Sequence, residues 1–404
     1  MQSSDRVNVL FVQSQPAFGA DSLIHAHLMR HLDRSRFGVH VACSAPAPGK
    51  TTPSFEAIAR IPDIRLRPTQ FAPGLSQRAA ADIWRGAAAS VAFPLDFVAL
   101  ARYVRKHRIQ VIHGTEKPRD AAYAVALGKL TGAKSVVHVH VKWSDEYSAA
   151  ARWAVREADA AFGISRYVTE TIVGMGKPRR DVFTILNCLD AGRWDPSTDG
   201  GGVRREFAVE PGQPLLVSVS RLFSWKGQRE LVQALAIVKR KFPNVRLLIV
   251  GYDERYVHKG SFTEELKELT RSLGLEQNVT FTGGRDDIPA IMAASDLYAM
   301  PSFEEPFGVV FLEAMAMARA VVAVNNGGTP EVIEHGRAGL LSPPWNVEAL
   351  AENILALLED PARARAMGEY GRRRVLEYFN PERMAREAAD AYTRLLAGLG
   401  AEAA

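Results

Sequence analysis

Strand-like apolar runs alternate with helical patterns from one end of this chain to the other, an alternation that admits few folds other than parallel sheets flanked by helices. In the first half the expected strands lie at 8–14, 38–44, 64–69, 111–114, 135–141, 160–164 and 183–187; in the second they lie at 215–220, 245–251, 279–283, 297–301, 320–324 and 339–341. The fold class is therefore α/β, with two doubly wound sheets. A chain of 404 residues is too long for one ordinary core and long enough for two. Pro, Gly and Asp gather after Asp190, with a glycine run at 200–202, which predicts a linker over 191–213 between domains at 1–190 and 214–380. Residues 381–404 read as a C-terminal helix returning across the linker toward the first domain. Ligands of open α/β sheets bind at the carboxyl ends of strands, so two such domains are expected to face each other across a cleft. The alanine-rich stretch 74–93, with Trp84 and Phe93, reads either as a lining of that cleft or as an ordinary surface helix.

The segment P-S-F-E-E-P-F-G-V-V-F-L-E at 301–313 is the most telling for chemistry. Pro306 biases Glu305 toward an extended conformation and suits the first turn of a helix. On that reading the helix runs over 307–318, and Phe307, Gly308 and Val309 present unpaired backbone N–H groups that attract anions. The helix is apolar nearly all round, yet Glu313 lies in it. A buried carboxylate needs a partner, either a cation of the chain or a ligand such as a sugar diol.

Further polar residues stand at other expected strand ends. Arg221 and Lys226 follow the strand at 215–220 and suit a diphosphate, the one as a planar fork of donors and the other as a point charge. Gly251, then Gly284 with Arg285, then Asn326-Gly327-Gly328 close three more strands. Singly each glycine is ordinary turn chemistry; together on one sheet edge they outline a ligand site.

Charge and cysteine usage narrow the classes. Residues 1–190 carry 25 Lys+Arg against 16 Asp+Glu, net +9, while 191–404 carry 25 against 29, net −4. The basic half suits an anionic acceptor or an anionic membrane surface, and the densest cluster is Arg102, Arg105, Lys106 and Arg108. Nucleic acid is not expected, because no zinc finger, helix-turn-helix or aromatic RNA-binding pattern accompanies the charge. Only Cys43 and Cys188 are present, which suits a reducing compartment and leaves no thiolate metal site. Residues 1–10 lack an export-type apolar run and 7–12 read as a strand, so the expected location is cytoplasmic, at the inner face of the membrane. Dinucleotide and P-loop signatures are missing.

The second half resembles the retaining nucleotide-sugar glycosyltransferases of family 4, which have the two-domain GT-B fold. The resemblance rests on S-R-L-F-S-W-K-G at 220–227, E-P-F-G-V-V-F-L-E-A-M-A at 305–316 and N-G-G-T-P-E-V-I at 326–333. It implies that Arg221 and Lys226 bind the donor diphosphate, Glu313 the ribose hydroxyls, and that Glu305 faces the transferred sugar. It also puts the backbone of Phe307, Gly308 and Val309 against sugar and phosphate, Gly251 at the donor edge, and the Gly284-Arg285 loop near the base. In the first half, Gly19-Ala20 stands where such enzymes often have two glycines, and Asn187-Cys188 where they have an Asn-Gly turn. His140 matches the family's active-site histidine, with His138 and His113 as neighbouring competitors. The implied reaction moves a hexosyl group from a UDP- or GDP-sugar to an acceptor hydroxyl with retention, in glycan, glycolipid or glycoconjugate synthesis. No permanent cofactor and no metal are expected, since no Asp-x-Asp pair holds a divalent ion on the diphosphate. The competing readings are a nucleotide-sugar epimerase on the same fold and a non-catalytic sugar-nucleotide binder.

Overall fold

The computed structural model describes residues 6–46, 50–71, 83–253 and 261–401, with the backbone alone over 83–94. The stretch 74–93, read above as a cleft lining or a surface helix, therefore falls outside the residues whose side chains are described. Two parallel sheets organise the chain. The first contains β1 (Val7–Gln13), β2 (Phe37–Ser44), β3 (Ile64–Thr69), β4 (Ile109–Thr115), β5 (Lys134–Val139), β6 (Ala160–Gly163) and β7 (Val182–Thr184), in the order β3-β2-β1-β4-β5-β6-β7. The second contains β8 (Leu215–Val219), β9 (Arg246–Val250), β10 (Val279–Gly283), β11 (Leu297–Met300), β12 (Ala320–Val324) and β13 (Gly339–Ser342), in the order β10-β9-β8-β11-β12-β13. Central strands such as Ala320–Val324 are buried at every residue, as expected where helices cover both faces of a parallel sheet.

The helices between strands start and stop where local chemistry dictates. Thr52, Ser148, Ser165, Ser261, Asn346 and Asp360 each accept a backbone N–H in the first turn of the helix that follows. Pro118 opens the helix Pro118–Thr131 and Gly132, at φ +83°, ends it.

The chain divides into two compact units, Met1–Asn187 with Pro381–Ala404, and Cys188–Asn380. The helix Pro381–Leu396 is an integral part of the first. It packs on the helix Ala20–His31, its Tyr392 hydroxyl lies 2.6 Å from His113 Nδ1, and Arg383 donates to the Leu186 carbonyl at 3.1 Å.

Residues 191–213 differ from the expected linker. They hold a helix, Gly201–Glu206, whose Val203 packs with Val209, Leu215, Val217, Ile291 and Ala294 on one face of the second sheet. Arg204 fixes the segment by donating to the Ala294 carbonyl at 2.9 Å and to Asp296 at 2.8 Å. The glycine run serves close packing as well as turning: a Cβ at Gly200 would lie 2.3 Å from the Ala294 nitrogen, whereas one at Gly202 would meet nothing within 4 Å. Gly200→Ala should therefore destabilise the unit by about 1–3 kcal/mol through overpacking. Gly202→Ala, inside the helix, should be neutral or stabilise by up to about 1 kcal/mol. Urea unfolding of the two variants checks this, and equal effects would mean the segment is not packed as described.

Candidate functional site

In each sheet the strand order reverses at one place, between β1 and β4 and between β8 and β11. Connections leave such a point on opposite sides of the sheet, and a crevice opens at the carboxyl ends of the two strands. In the second unit, the loop after β8 carries Arg221 and Lys226, and the loop after β11 carries Glu305. The two loops are locked together through backbone. Phe303 N donates to the Trp225 carbonyl at 2.7 Å, and a Cβ at Gly227 would stand 2.1 Å from the Pro301 carbonyl oxygen. Gly227 has φ +74°, so both its conformation and its neighbour require glycine.

The loop after β12 completes the clamp. Asn326 Oδ1 accepts from Glu304 N at 2.6 Å, and Gly328 N donates to the Glu305 carbonyl at 2.8 Å. A Cβ at Gly327 would lie 2.6 Å from that same carbonyl oxygen. Thus the N-G-G motif is the seat of the E-P-F-G motif, and the two co-occur because each shapes the other. At Gly251, Gly284 and Gly308 too, the space a side chain would need is taken by the chain itself: the Ser220 carbonyl, the Tyr252 ring and the Phe311 ring. The sequence reading held these glycines open for a ligand. In the folded chain the Cβ direction of each serves internal packing.

Lys226 Nζ sits 2.6 Å from Glu305 Oε2, which also accepts from Ser302 Oγ at 2.8 Å. Both ionic side chains are nearly buried, at 11% and 8% exposure, so each supplies the other's counter-charge. Lys226 also lies 4.0 Å above the Trp225 ring. Arg221 is exposed, with its guanidinium 5.1 Å above Phe223.

The helix beside this pair begins later than the sequence implied. It spans Val309–Ala316, because Gly308 takes a left-handed conformation, φ +87° and ψ +66°, that Pro306 and Phe307 cannot bridge as helix. Phe307 instead turns its ring into the core. No side chain caps this helix start. One turn in, Glu313 is partly buried, and among the described residues no hydrogen bond or ion pair reaches its carboxylate. Burial raises its pKa from the ordinary 4.5 to about 7, with the Arg193 charge opposing.

Arg285 has partners within the chain. Its guanidinium is held by Glu206, at 2.5 and 2.9 Å, and by Asp287, at 2.9 and 2.7 Å, so it fastens the loop after β10 to the helix Gly201–Glu206. Gly19 and His140 belong to the first unit. Gly19 is exposed, with extended backbone, and precedes the helix Ala20–His31. His140 follows β5, and its backbone N–H donates to Glu116 Oε2 at 3.2 Å. Burial pushes the Glu116 carboxyl up to about 7. Glu116, Ser302 and Arg193 were missed from sequence; only Ser302, inside the quoted P-S-F-E-E run, carried a signal that could have found it.

Comparison with known proteins agrees with this geometry. The model of the family "Glycosyl transferases group 1" matches residues 203–374, and that of "Glycosyl transferase 4-like domain" matches 24–188. A GDP-mannose-dependent alpha-(1-6)-phosphatidylinositol monomannoside mannosyltransferase of Mycolicibacterium smegmatis is 32% identical over 296 residues, 69% of this chain and 75% of that protein. The chain belongs to glycosyltransferase family 4. A glycogen synthase of Mycobacterium tuberculosis is 29% identical over 298 residues, 73% of this chain and 65% of that protein. The crystal structure of Anabaena HepE in complex with UDP is superposable with a TM-score of 0.77 at 24% identity, over 96% of this chain and 100% of that one, a likeness of fold. The protein is a nucleotide-sugar glycosyltransferase of the hexosyltransferase class with the GT-B architecture. The relatives are transferases and synthases by name, and they lend nothing to the epimerase or sensor readings.

The state of Glu313 in this glycosyltransferase has a measurable consequence. As pH rises from about 4.5 toward 7, an unfolded chain releases this proton first, so folded stability falls across that window and levels off above it. The loss is at most about 3 kcal/mol, less the screening by water that reaches a partly exposed group. Glu313→Gln should flatten this slope. Glu116 titrates in the same window, so urea unfolding of wild type and variant is compared at matched pH; identical slopes would show that Glu313 is not held protonated.

Proposed function

We propose that the protein transfers a hexosyl group from a UDP- or GDP-sugar to an acceptor hydroxyl with retention at the anomeric carbon, without a divalent ion at the diphosphate. The bond between the anomeric carbon and the diphosphate oxygen breaks, the acceptor oxygen takes its place, and the acceptor proton leaves with the nucleoside diphosphate. The observation that carries this reading is the buried Lys226–Glu305 pair beside an uncapped helix start at the point where the strand order reverses. Lys226, Arg221 and the backbone N–H groups at Gly308 and Val309 are preorganised donors for the charge that develops on the leaving group. Glu305, held by Lys226 and Ser302, faces the transferred sugar, and the unpaired carboxylate of Glu313 takes the ribose diol. The mobile partner in this scheme is the ligand and not the site, since the loops are fixed by backbone. His140, with Glu116 behind it, acts on the acceptor side.

The reaction class is tested with UDP-glucose, GDP-mannose and ADP-glucose, without added magnesium. Free nucleoside diphosphate with a glycosylated acceptor supports transfer, an altered sugar nucleotide means epimerisation, and binding without turnover means a sensor. Thermal shifts with UDP, GDP and ADP rank the bases, with GDP tried first because the relative at 32% identity is named GDP-mannose-dependent. Arg221→Ala should fold normally and lower kcat/KM by about 10²-fold. Lys226→Ala should do so while also losing about 3–5 kcal/mol of stability, because Glu305 is left buried and unpaired. Near-normal turnover in both variants would remove the leaving-group assignment.

The acceptor we propose is anionic and lipid-linked, met by a cytoplasmic protein at the membrane surface. No helix among the described residues is long and apolar enough to cross a membrane, so contact would be peripheral. Arg102, Arg105, Lys106 and Arg108 are all exposed, clustered at the end of the helix Ile83–Lys106. Each basic residue near an anionic surface is worth about 1 kcal/mol, within a Debye length of about 10 Å at 0.1 M salt. Co-sedimentation should show salt-sensitive binding to anionic but not neutral vesicles, weakened by charge reversal in this cluster. Binding to neither at low salt would dispose of the membrane contact.

A further inference from the structure

Four of the chain's ten histidines meet in the first unit. His113 on β4 and His138 on β5 share a face of the sheet, because the parallel register sets His113 beside Val136 and Thr115 beside His138. The helix Ala20–His31 lies over that face and brings in His25, while His140 follows two residues after His138. The imidazoles of His25 and His113 are 4.8 Å apart between centroids, and each is 5.3 Å from that of His138. All three residues are fully buried, and Phe11, Phe162 and Tyr392 wall the cluster.

The nitrogens are what make the cluster unusual. His25 Nε2, His113 Nε2 and both ring nitrogens of His138 have no hydrogen-bond partner. A neutral imidazole has one donor and one acceptor, and leaving them unmet in a dry interior is unfavourable. A histidine retained only for packing would be replaced at less cost by an aromatic or aliphatic side chain. One ligand-bearing nitrogen from each of His25, His113 and His138 lies within 4.8 Å of the others. A tetrahedral ion with bonds of about 2.0–2.1 Å needs nitrogens roughly 3.3 Å apart, so the three rings would have to draw together on binding.

We propose that His25, His113 and His138 bind one borderline transition-metal ion, of which zinc(II) is the representative, as a structural centre of the first unit. Three imidazoles suit such an ion and not magnesium or calcium, which take oxygen ligands. The outer contacts fit as well. His113 Nδ1 lies 2.6 Å from the Tyr392 hydroxyl and His25 Nδ1 lies 2.7 Å from the Gln13 amide, so in both rings the remote Nε2 is the atom left to coordinate. For His25 this requires Nδ1–H to donate to the Gln13 carbonyl oxygen, which the amide presents after a half-turn that exchanges its oxygen and nitrogen. The ion would tie together β4, β5 and the helix Ala20–His31 and, through Tyr392, the helix Pro381–Leu396. The site shares no residue with the proposed diphosphate chemistry of Arg221, Lys226 and Glu305 in the other unit, and although His140 of the proposed acceptor side packs 4.3 Å from the His138 ring, metal binding by the unliganded protein is read without turnover, so either proposal can fail without the other.

The test uses full-length protein without an affinity tag, stripped with a chelator and dialysed. Cobalt(II) added to the folded wild type should give the visible absorption of a tetrahedral nitrogen-ligated site, displaced by one equivalent of zinc(II), and zinc(II) should raise Tm. His25→Gln and His138→Gln should each weaken zinc binding by at least tenfold. His31→Ala should leave it unchanged, which excludes the alternative pair formed by His27 and His31 on the same helix. Failure of the folded wild type to bind cobalt(II) or zinc(II) would overturn the proposal whether or not any variant folds. Binding that survives His138→Gln but disappears in His31→Ala would overturn it equally.

Discussion

Lys226 and Glu305 are joined by a contact of 2.6 Å between loops that leave neighbouring strands on opposite sides of the place where the second sheet reverses its order. Neither charge is tolerable alone at such burial, and neither loop holds its course without the other. Trp225 lends its carbonyl to Phe303, Gly227 makes room for Pro301, and Asn326 with Gly328 holds the chain at Glu304 and Glu305 from the far side. The geometry of these loops is thus a consequence of backbone interlocking first and of side-chain charge second. Glycines at a site of this kind do not by themselves indicate where a ligand lies close, because here they indicate where the chain lies close to itself.

The same loops distribute charge in two distinct ways. Arg285 is satisfied within the protein by two carboxylates, and the Lys226–Glu305 pair is mutually neutral, whereas the Glu313 carboxylate has no partner among the described residues and is pushed toward neutrality near pH 7. Of these acidic and basic groups, Glu313 is the one that the fold buries without supplying a hydrogen bond or a salt bridge from the described residues. A neutral or half-protonated carboxyl can both donate and accept hydrogen bonds, whereas a carboxylate locked in a salt bridge only accepts.

Much of this was legible in the sequence for one reason: parallel strands buried on both faces read as unbroken apolar runs between turn residues. All thirteen expected strands are present, and most ends agree to within two residues, since apolar runs such as 247–250 and 320–324 have no polar residue to blur them. The helix start at Gly308 was misread because Pro306 is a good first helical residue, and nothing local announces that Gly308 will take a positive φ. The stretch 191–213 was misread because turn-rich composition cannot distinguish a linker from a short helix packed through Val203 and a close-fitting Gly200. Partners supplied from far along the chain, such as Glu206 for Arg285 and Lys226 for Glu305, arise only when the loops are brought together.

The histidines of the first unit follow the opposite logic. His138 and His140 alternate onto one face by strand geometry, which is visible in the sequence, but His25 and His113 join them only through the sheet order β1-β4-β5 and the helix laid over it. Four imidazoles in a wall of Phe11, Phe162 and Tyr392 cannot all be charged, and burial keeps them neutral. Neutral imidazoles with unmet nitrogens are poor core residues and good ligands. Strand-end loops in both units are closed by hydrogen bonds and salt bridges, but the first unit also leaves six imidazole nitrogens of one buried cluster without a partner among the described residues. That contrast, and not the identity of any single histidine, is why an additional bound species is expected there.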